Sequence, residues 1–227
     1  ARMGEHAENI AVKPNGEDVE KISPGISAIK AEFEAERLFV YQGRIATEKN
    51  VEALLRAWRQ AEMGSQSKLL IVGDGPLRAG LEPFYGPEHG VHWLGFIADD
   101  NRRIEILRGA DVSILPSLVE GLSLSLLEGM ACGLACLATE VGADGEVLQD
   151  GAGVVLDTNR VRSQLRTLLP LFQDHPELGL MLGNKARQRV LERYTLSKNI
   201  TQLEKLYEEI VRGKSLHFHP QQTKKVV

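Results

Sequence analysis

Residues 37–61 read RLFVYQGRIATEKNVEALLRAWRQA. The apolar run Leu38 to Tyr41 stops at Gln42 and Gly43, a polar loop follows, and Val51, Leu54, Leu55 and Trp58 then recur at helical spacing. A short buried strand, a loop and an amphipathic helix make one β-α unit of a parallel sheet. The same alternation runs on through the chain. KLLIVG (68–73), VHWLGF (91–96), DVSILPS (111–117), LACLAT (134–139) and GAGVVLD (151–157) read as further strands. LRAGLEPF (77–84), NRRIEILRGA (101–110) and SLSLLEGMAC (123–132) read as helices between them. The expected fold is therefore α/β, a Rossmann-like doubly wound parallel sheet. After residue 159 the strand signal stops, and VRSQLRTLLPLF, HPELGLMLGNKARQRVLERY and SKNITQLEKLYEEIVR read as additional carboxyl-terminal helices.

Composition is consistent with one globular domain plus appended helices: 227 residues, 43% of them hydrophobic, and a net charge of −4 with acids and bases interspersed. That balance carries no nucleic-acid footprint and no basic membrane stripe. No signal peptide or apolar run of membrane-spanning length is visible, and Cys132 and Cys136 are too few to staple a fold of this size, so a reducing cytoplasm is the expected compartment. The segment after Gly213 has no periodic apolar face and reads as a flexible tail.

In a doubly wound sheet, ligands gather at the carboxyl ends of the strands near the topological switch point. The loops there are GRIATEK, GDGP, GF and PSLVEGLS, rich in glycines that permit sharp turns or close backbone approach. A helix starting near Ser123 points free N–H groups and a positive dipole end into that region, which suits an anion. Glu120 precedes this helix in a loop, and Glu128 falls in its second turn among Leu124, Leu126, Leu127, Met130 and Ala131. On the residues alone, Glu128 either accepts hydrogen bonds from a ligand's hydroxyls or is satisfied by nearby backbone or an arginine. Glu120, in a loop, reads on the residues alone as a solvated charge, with a ligand contact as the other reading. Cys132 and Cys136 read as small buried hydrophobes, His89 and His92 lack a second ligand pair, and His217 and His219 fall in the tail, so no metal site is expected. Neither G-x-G-x-x-G after a first strand nor a P-loop is present, which removes the main support for NAD oxidoreductase and NTPase readings.

Six segments in order resemble the carboxyl-terminal, donor-binding half of a retaining family 4 glycosyltransferase of the GT-B fold: VKPNGEDVEKISP, YQGRIATEKNVEALLRAW, LLIVGDGPLRAGLE, VHWLGF, ADVSILPSLVEGLSLSLLEGMACGLACLAT and EVGADGEVL. The resemblance implies transfer of a sugar from a nucleotide-diphosphate-sugar donor, with no cofactor and no metal, to a hydroxyl of a glycan or lipid-linked sugar. Arg44 and Lys49 would clamp the diphosphate, the alternative being an exposed loop pair. Gly43 would let the backbone approach the donor, and Gly73 and Gly75 of the GDGP turn would border the nucleotide. Phe96 and Ile97 would meet the base, though Phe96 also fits a core position. Glu120 would reach the transferred sugar, Glu128 the ribose hydroxyls, and the backbone of Leu122, Ser123 and Leu124 the phosphates.

The match has departures that bear on donor preference. Leu122-Ser123 replaces the usual phenylalanine-glycine, Ala135 a proline and Asn50 a glycine, and GADGEV (142–147) is a loose version of Gly-Gly-x-x-Glu. The same resemblance divides the chain into a linker from an absent amino-terminal acceptor domain (1–36), the donor domain (37–195), a helix crossing back to the absent half (196–212) and the tail (213–227). A cytoplasmic enzyme is implied, with the absent domain as the route to the inner face of a membrane. A nucleotide-binding module without turnover of its own is the main alternative, and a GT-B sugar-nucleotide epimerase a distant one.

Overall fold

A computed structural model of the chain describes residues 15–212. The expected tail with His217 and His219, and residues 1–14 of the linker, lie outside the described residues. Six strands, β1 (Arg37–Gln42), β2 (Ser67–Val72), β3 (Val91–Gly95), β4 (Val112–Leu115), β5 (Ala135–Thr139) and β6 (Val154–Leu156), form one sheet in the order β3-β2-β1-β4-β5-β6. Every strand pair is parallel. The α-helices among the described residues are α1 (Ile29–Glu32), α2 (Val51–Gln60), α3 (Arg78–Leu81), α4 (Asp100–Gly109), α5 (Leu124–Ala131), α6 (Asp144–Val147), α7 (Val161–Asp174), α8 (Pro176–Arg193) and α9 (Leu196–Val211).

The period-two geometry of a strand sends alternate residues to opposite faces of the sheet, and both faces are covered. Leu38 and Val40 of β1, with Leu70 and Val72 of β2, pack beneath α4, α5 and α8 through Ile104, Leu126, Met130, Ala186 and Val190. Phe39 and Tyr41, with Leu69 and Ile71, face Leu54, Leu55 and Trp58 of α2 and Leu165 and Leu169 of α7. Both faces of β1 are dry, which is why its sequence reads as a continuous apolar run.

Helix α8 crosses close to the end of α5. A Cβ on Gly183 would stand 1.9 Å from the Gly133 carbonyl oxygen, and Gly133 itself has φ +78°, so neither position accommodates a side chain. The two cysteines are buried and unpaired, as small hydrophobes in this core.

Three details differ from the periodicity of the sequence. LRAGLEPF is not one helix: α3 gives way to a 3-10 turn over Glu82–Phe84, where Pro83 has no N–H to continue the ladder. GADGEV holds the short helix α6, too brief and glycine-rich to carry a periodic signal. Strand β6 is shorter than GAGVVLD suggests, because Gly151 (φ +79°) still belongs to the turn that precedes it.

Candidate functional site

The chain leaves β1 toward β2 and β3 on one side and returns to β4, from which β5 and β6 build outward on the other. The switch point therefore lies between the carboxyl ends of β1 and β4, and the loops GRIATEK and PSLVEGLS meet there. Leu118 N–H donates to the Glu48 carbonyl (2.7 Å), and Asn50 Nδ2 donates to the Pro116 carbonyl (3.1 Å). Asn50 takes the left-handed conformation (φ 52°) that glycine would otherwise fill, a conformation asparagine tolerates better than most residues. The β2 loop stacks on the β1 loop through Ile45 N–H to the Asp74 carbonyl (2.9 Å). A Cβ on Gly73 would stand 1.9 Å from the Gly43 carbonyl oxygen and one on Gly75 2.4 Å from that of Ile45, so this stacking requires glycine at both.

Glu120 is not a solvated loop charge. Its Oε1 lies 2.5 Å from Lys49 Nζ and accepts a hydrogen bond from Ser117 Oγ (2.8 Å), and its side chain is only 11% exposed. Ser117 is in turn fixed through its carbonyl, which accepts from Thr139 Oγ1 at 2.5 Å. Two residues far apart in sequence are thus brought into one ion pair at the rim of the switch point.

Glu128 is buried, on the first turns of α5. Gln42 Nε2, at the end of β1, donates to its Oε2, and an Arg103 guanidinium nitrogen from α4 lies 3.5 Å from Oε1. Burial raises the affinity of Glu128 for a proton, while the Arg103 charge and the Gln42 hydrogen bond oppose that rise. Both of its oxygens thus have neighbours, as a carboxylate buried in this setting requires. Arg103 also bonds Asp100 at 2.8 Å. The linker carboxylate Glu17 belongs to the same neighbourhood: burial raises its proton affinity, and the Glu128 charge adds to the effect.

Between the two glutamates lies the start of α5. Ser123 is its N-cap, with extended backbone and Oγ accepting from Leu126 N–H (3.4 Å). The Ser123 N–H itself donates to Asp144 Oδ1 (2.9 Å). Asp144 is 1% exposed, and burial pushes its carboxyl up to about 6 against the hydrogen bond from Ser123. Leu124 is half exposed, and the Leu122 carbonyl accepts from Asn15 Nδ2 at 3.1 Å.

Arg44 is exposed beside this rim, its carbonyl held by the Tyr41 hydroxyl at 2.7 Å. Phe96 is 77% exposed and so is not a core residue, whereas Ile97 packs partly against the core. Both follow β3, two strands from β1 and so away from the switch point. Two surface concavities, one by Trp58, Arg59 and His89 and one by Arg37, Gln66 and Gln173, lie at the amino ends of the strands, away from this chemistry. No group of three or more histidine, cysteine, aspartate or glutamate side chains suited to a metal occurs among the described residues.

Gln42, Ser117, Arg103 and Asp144 escape the sequence reading. Gln42 carried a faint signal, a polar residue closing an apolar strand, and Asp144 another, a charge inside a glycine-rich segment. Arg103 looks in sequence like any helix-surface arginine.

The chain is similar along most of its length to known glycosyltransferases. It is 28% identical over 191 residues to N-acetyl-alpha-D-glucosaminyl L-malate synthase of Bacillus anthracis, covering 82% of this chain and 50% of that protein. It is 28% identical over 218 residues to UDP-Gal:alpha-D-GlcNAc-diphosphoundecaprenol alpha-1,3-galactosyltransferase of Escherichia coli, covering 90% and 55%. The chain thus spans about half the length of these relatives. Among solved structures, Anabaena HepE in complex with UDP superposes with a TM-score of 0.78 at 18% identity, covering 91% of this chain and 59% of that one. The carboxyl-terminal domain of a glycosyl transferase group 1 family protein from Francisella tularensis gives a TM-score of 0.70 at 20% identity, covering 80% of this chain and all of that one. The fold is that of one Rossmann-like half of a GT-B glycosyltransferase. With residues 24–189 matching the family described as Glycosyl transferases group 1, the chain belongs to that family.

Proposed function

We propose that this chain is the donor half of a retaining, family 4-like glycosyltransferase that takes a nucleotide-diphosphate sugar. The observation that carries the reading is the convergence of the Lys49–Glu120 pair and the Gln42–Glu128–Arg103 cluster on either side of the start of α5. A nucleoside diphosphate laid across the switch point would meet each group in the order its chemistry demands. Glu128 would hold the ribose hydroxyls, the N–H groups from Ser123 onward the phosphates, and Glu120 the hydroxyls of the sugar. Arg44 and Lys49 would neutralise charge as the diphosphate leaves, the step at which electrostatic stabilisation counts most. Gly43, Gly73 and Gly75 keep the backbone low enough for this approach, and Phe96 and Ile97 border the end where the base would sit.

In this reading the acceptor, a hydroxyl of a glycan or lipid-linked sugar, is bound mainly by a second domain. The chain alone would bind donor without turnover. Support comes from the family membership and from structural relatives crystallised with UDP or UDP-glucose.

Isothermal titration of the chain with UDP, GDP and ADP tests this. Binding of at least one at millimolar concentration or below, unchanged by chelator, is expected. No heat with any of the three would sink the donor-site reading, and loss of binding with chelator would sink its metal-independent form.

A further inference from the structure

We propose that Asp144 is a positioning residue that competes with a donor phosphate for the backbone N–H of Ser123, so that diphosphate binding at the start of α5 is coupled to proton uptake by its carboxyl. The inference rests on the donor-site reading above and adds a residue and a proton to it.

The geometry leaves little alternative for a carboxylate and a phosphate in one place. Ser123 N–H is among the donors at the start of α5 that have no partner within the helix, and Asp144 Oδ1 occupies it at 2.9 Å. A phosphate oxygen seeking the same donor would bring negative charge against a second anion that is 1% exposed and poorly screened by water. Either the carboxylate swings aside or it takes a proton. The main chain that carries it cannot retreat, because its segment is packed tightly on the Gly121 loop, and the side chain itself has little open space to turn into. Ala143 N–H donates to the Gly121 carbonyl at 2.6 Å, and even a Cβ on the adjacent Gly142 would stand 2.2 Å from that oxygen.

The charged groups facing Asp144 reinforce the same outcome. Glu120 raises its proton affinity and Lys49 lowers it, and those two are paired with each other at 2.5 Å. A diphosphate that draws Lys49 toward itself weakens the positive charge that opposes Glu120 at Asp144. Burial already holds the carboxyl up at about 6, so a modest further rise brings it into the neutral range. The proton balance is simple. A fraction of a proton, set by pH, moves from solvent to Asp144 as diphosphate binds and returns as it leaves, with no bond made or broken elsewhere.

The test measures dissociation constants for UDP, GDP and ADP from pH 5.5 to 8.5, at fixed ionic strength, for the chain and for Asp144→Asn. The ratio of the two constants at each pH cancels titration of the nucleotide's own phosphate. The ratio of unmodified to variant constant should be near one at pH 5.5 and climb to about tenfold above pH 7.5, as a one-unit upward shift on binding requires. Titration of the unmodified chain in buffers of different ionisation enthalpy supplies a readout that needs no variant. It should reveal net proton uptake near pH 7 beyond that of the nucleotide alone. Diphosphate binding with a flat ratio, or without proton uptake, overturns the coupling and leaves the donor site standing. Absence of diphosphate binding to either protein at every pH overturns both.

Discussion

Glu128 and Glu120 hold different partners, and their substitutions should separate accordingly. Glu128→Gln keeps the shape of the side chain but removes the charge facing Arg103 and leaves one neutral acceptor oxygen where ribose hydroxyls would meet a charged pair. Nucleoside diphosphate affinity should fall by about 1–3 kcal/mol, measured by titration of the free diphosphate. Glu120→Gln should not weaken the free diphosphate, because it releases Lys49 from its pair, yet turnover of intact donor by the whole enzyme should drop. Equal behaviour of the two variants in both assays would make the pair structural. Asp144 offers a stability test at the same scale. Its carboxyl titrates near 3.8 when unfolded and at about 6 when folded, so its burial costs nothing below pH 3.8. The penalty grows between those values and is fully present above 6, where a shift of this size corresponds to ~3 kcal/mol at most. Asp144→Asn should therefore raise the melting temperature at pH 7.5 and change it little at pH 3.5. A variant less stable at pH 7.5 would contradict the sign.

Among the elements, helix α8 carries two glycines that make opposite predictions. Gly183→Ala drives a methyl into the Gly133 carbonyl and should cost about 3 kcal/mol, read as a lower denaturation midpoint. Gly179→Ala in the same helix meets nothing within 4 Å and should stabilise by ~0.5–1 kcal/mol through the gain in helix propensity. The contrast shows what a sequence can and cannot disclose. Strands β1 to β5 announce themselves as short apolar runs because the sheet is covered on both faces, and helices α2, α4, α5 and α7 to α9 through apolar residues at helical spacing. The donor loops announce themselves because motif residues stand close together in the chain. Gln42 and Asp144 act through partners 86 and 21 positions away, and no local pattern encodes such a pairing. The same holds for Gly183, whose reason for being glycine is the backbone of another segment. The alternatives left open for Glu128 were not exclusive: the arginine expected of a merely structural carboxylate is there, beside the place proposed for ribose.

At the scale of the whole molecule, the least covered element is α9. Leu196, Ile200, Leu203, Tyr207 and Ile210 recur at alternating steps of four and three residues, yet Leu196, Ile200, Tyr207 and Ile210 are exposed. An apolar seam at that spacing is the surface on which helices associate. The isolated chain should self-associate in a concentration-dependent way, and Ile200→Glu with Leu203→Glu should return it to a monomer in sedimentation or light scattering. A strictly monomeric unmodified chain at high concentration would show that the seam is too short to act alone. Among the described residues no helix is long and apolar enough to cross a membrane. Where α9 departs from the domain, Glu17 N–H donates to the Tyr194 carbonyl at 2.7 Å, and Leu196 N–H donates to the Glu17 carbonyl at 2.8 Å. The incoming and outgoing backbones are therefore tied at a single root. In mechanical terms, a pull on both ends of the domain is borne first by that pair of bonds and not by the sheet.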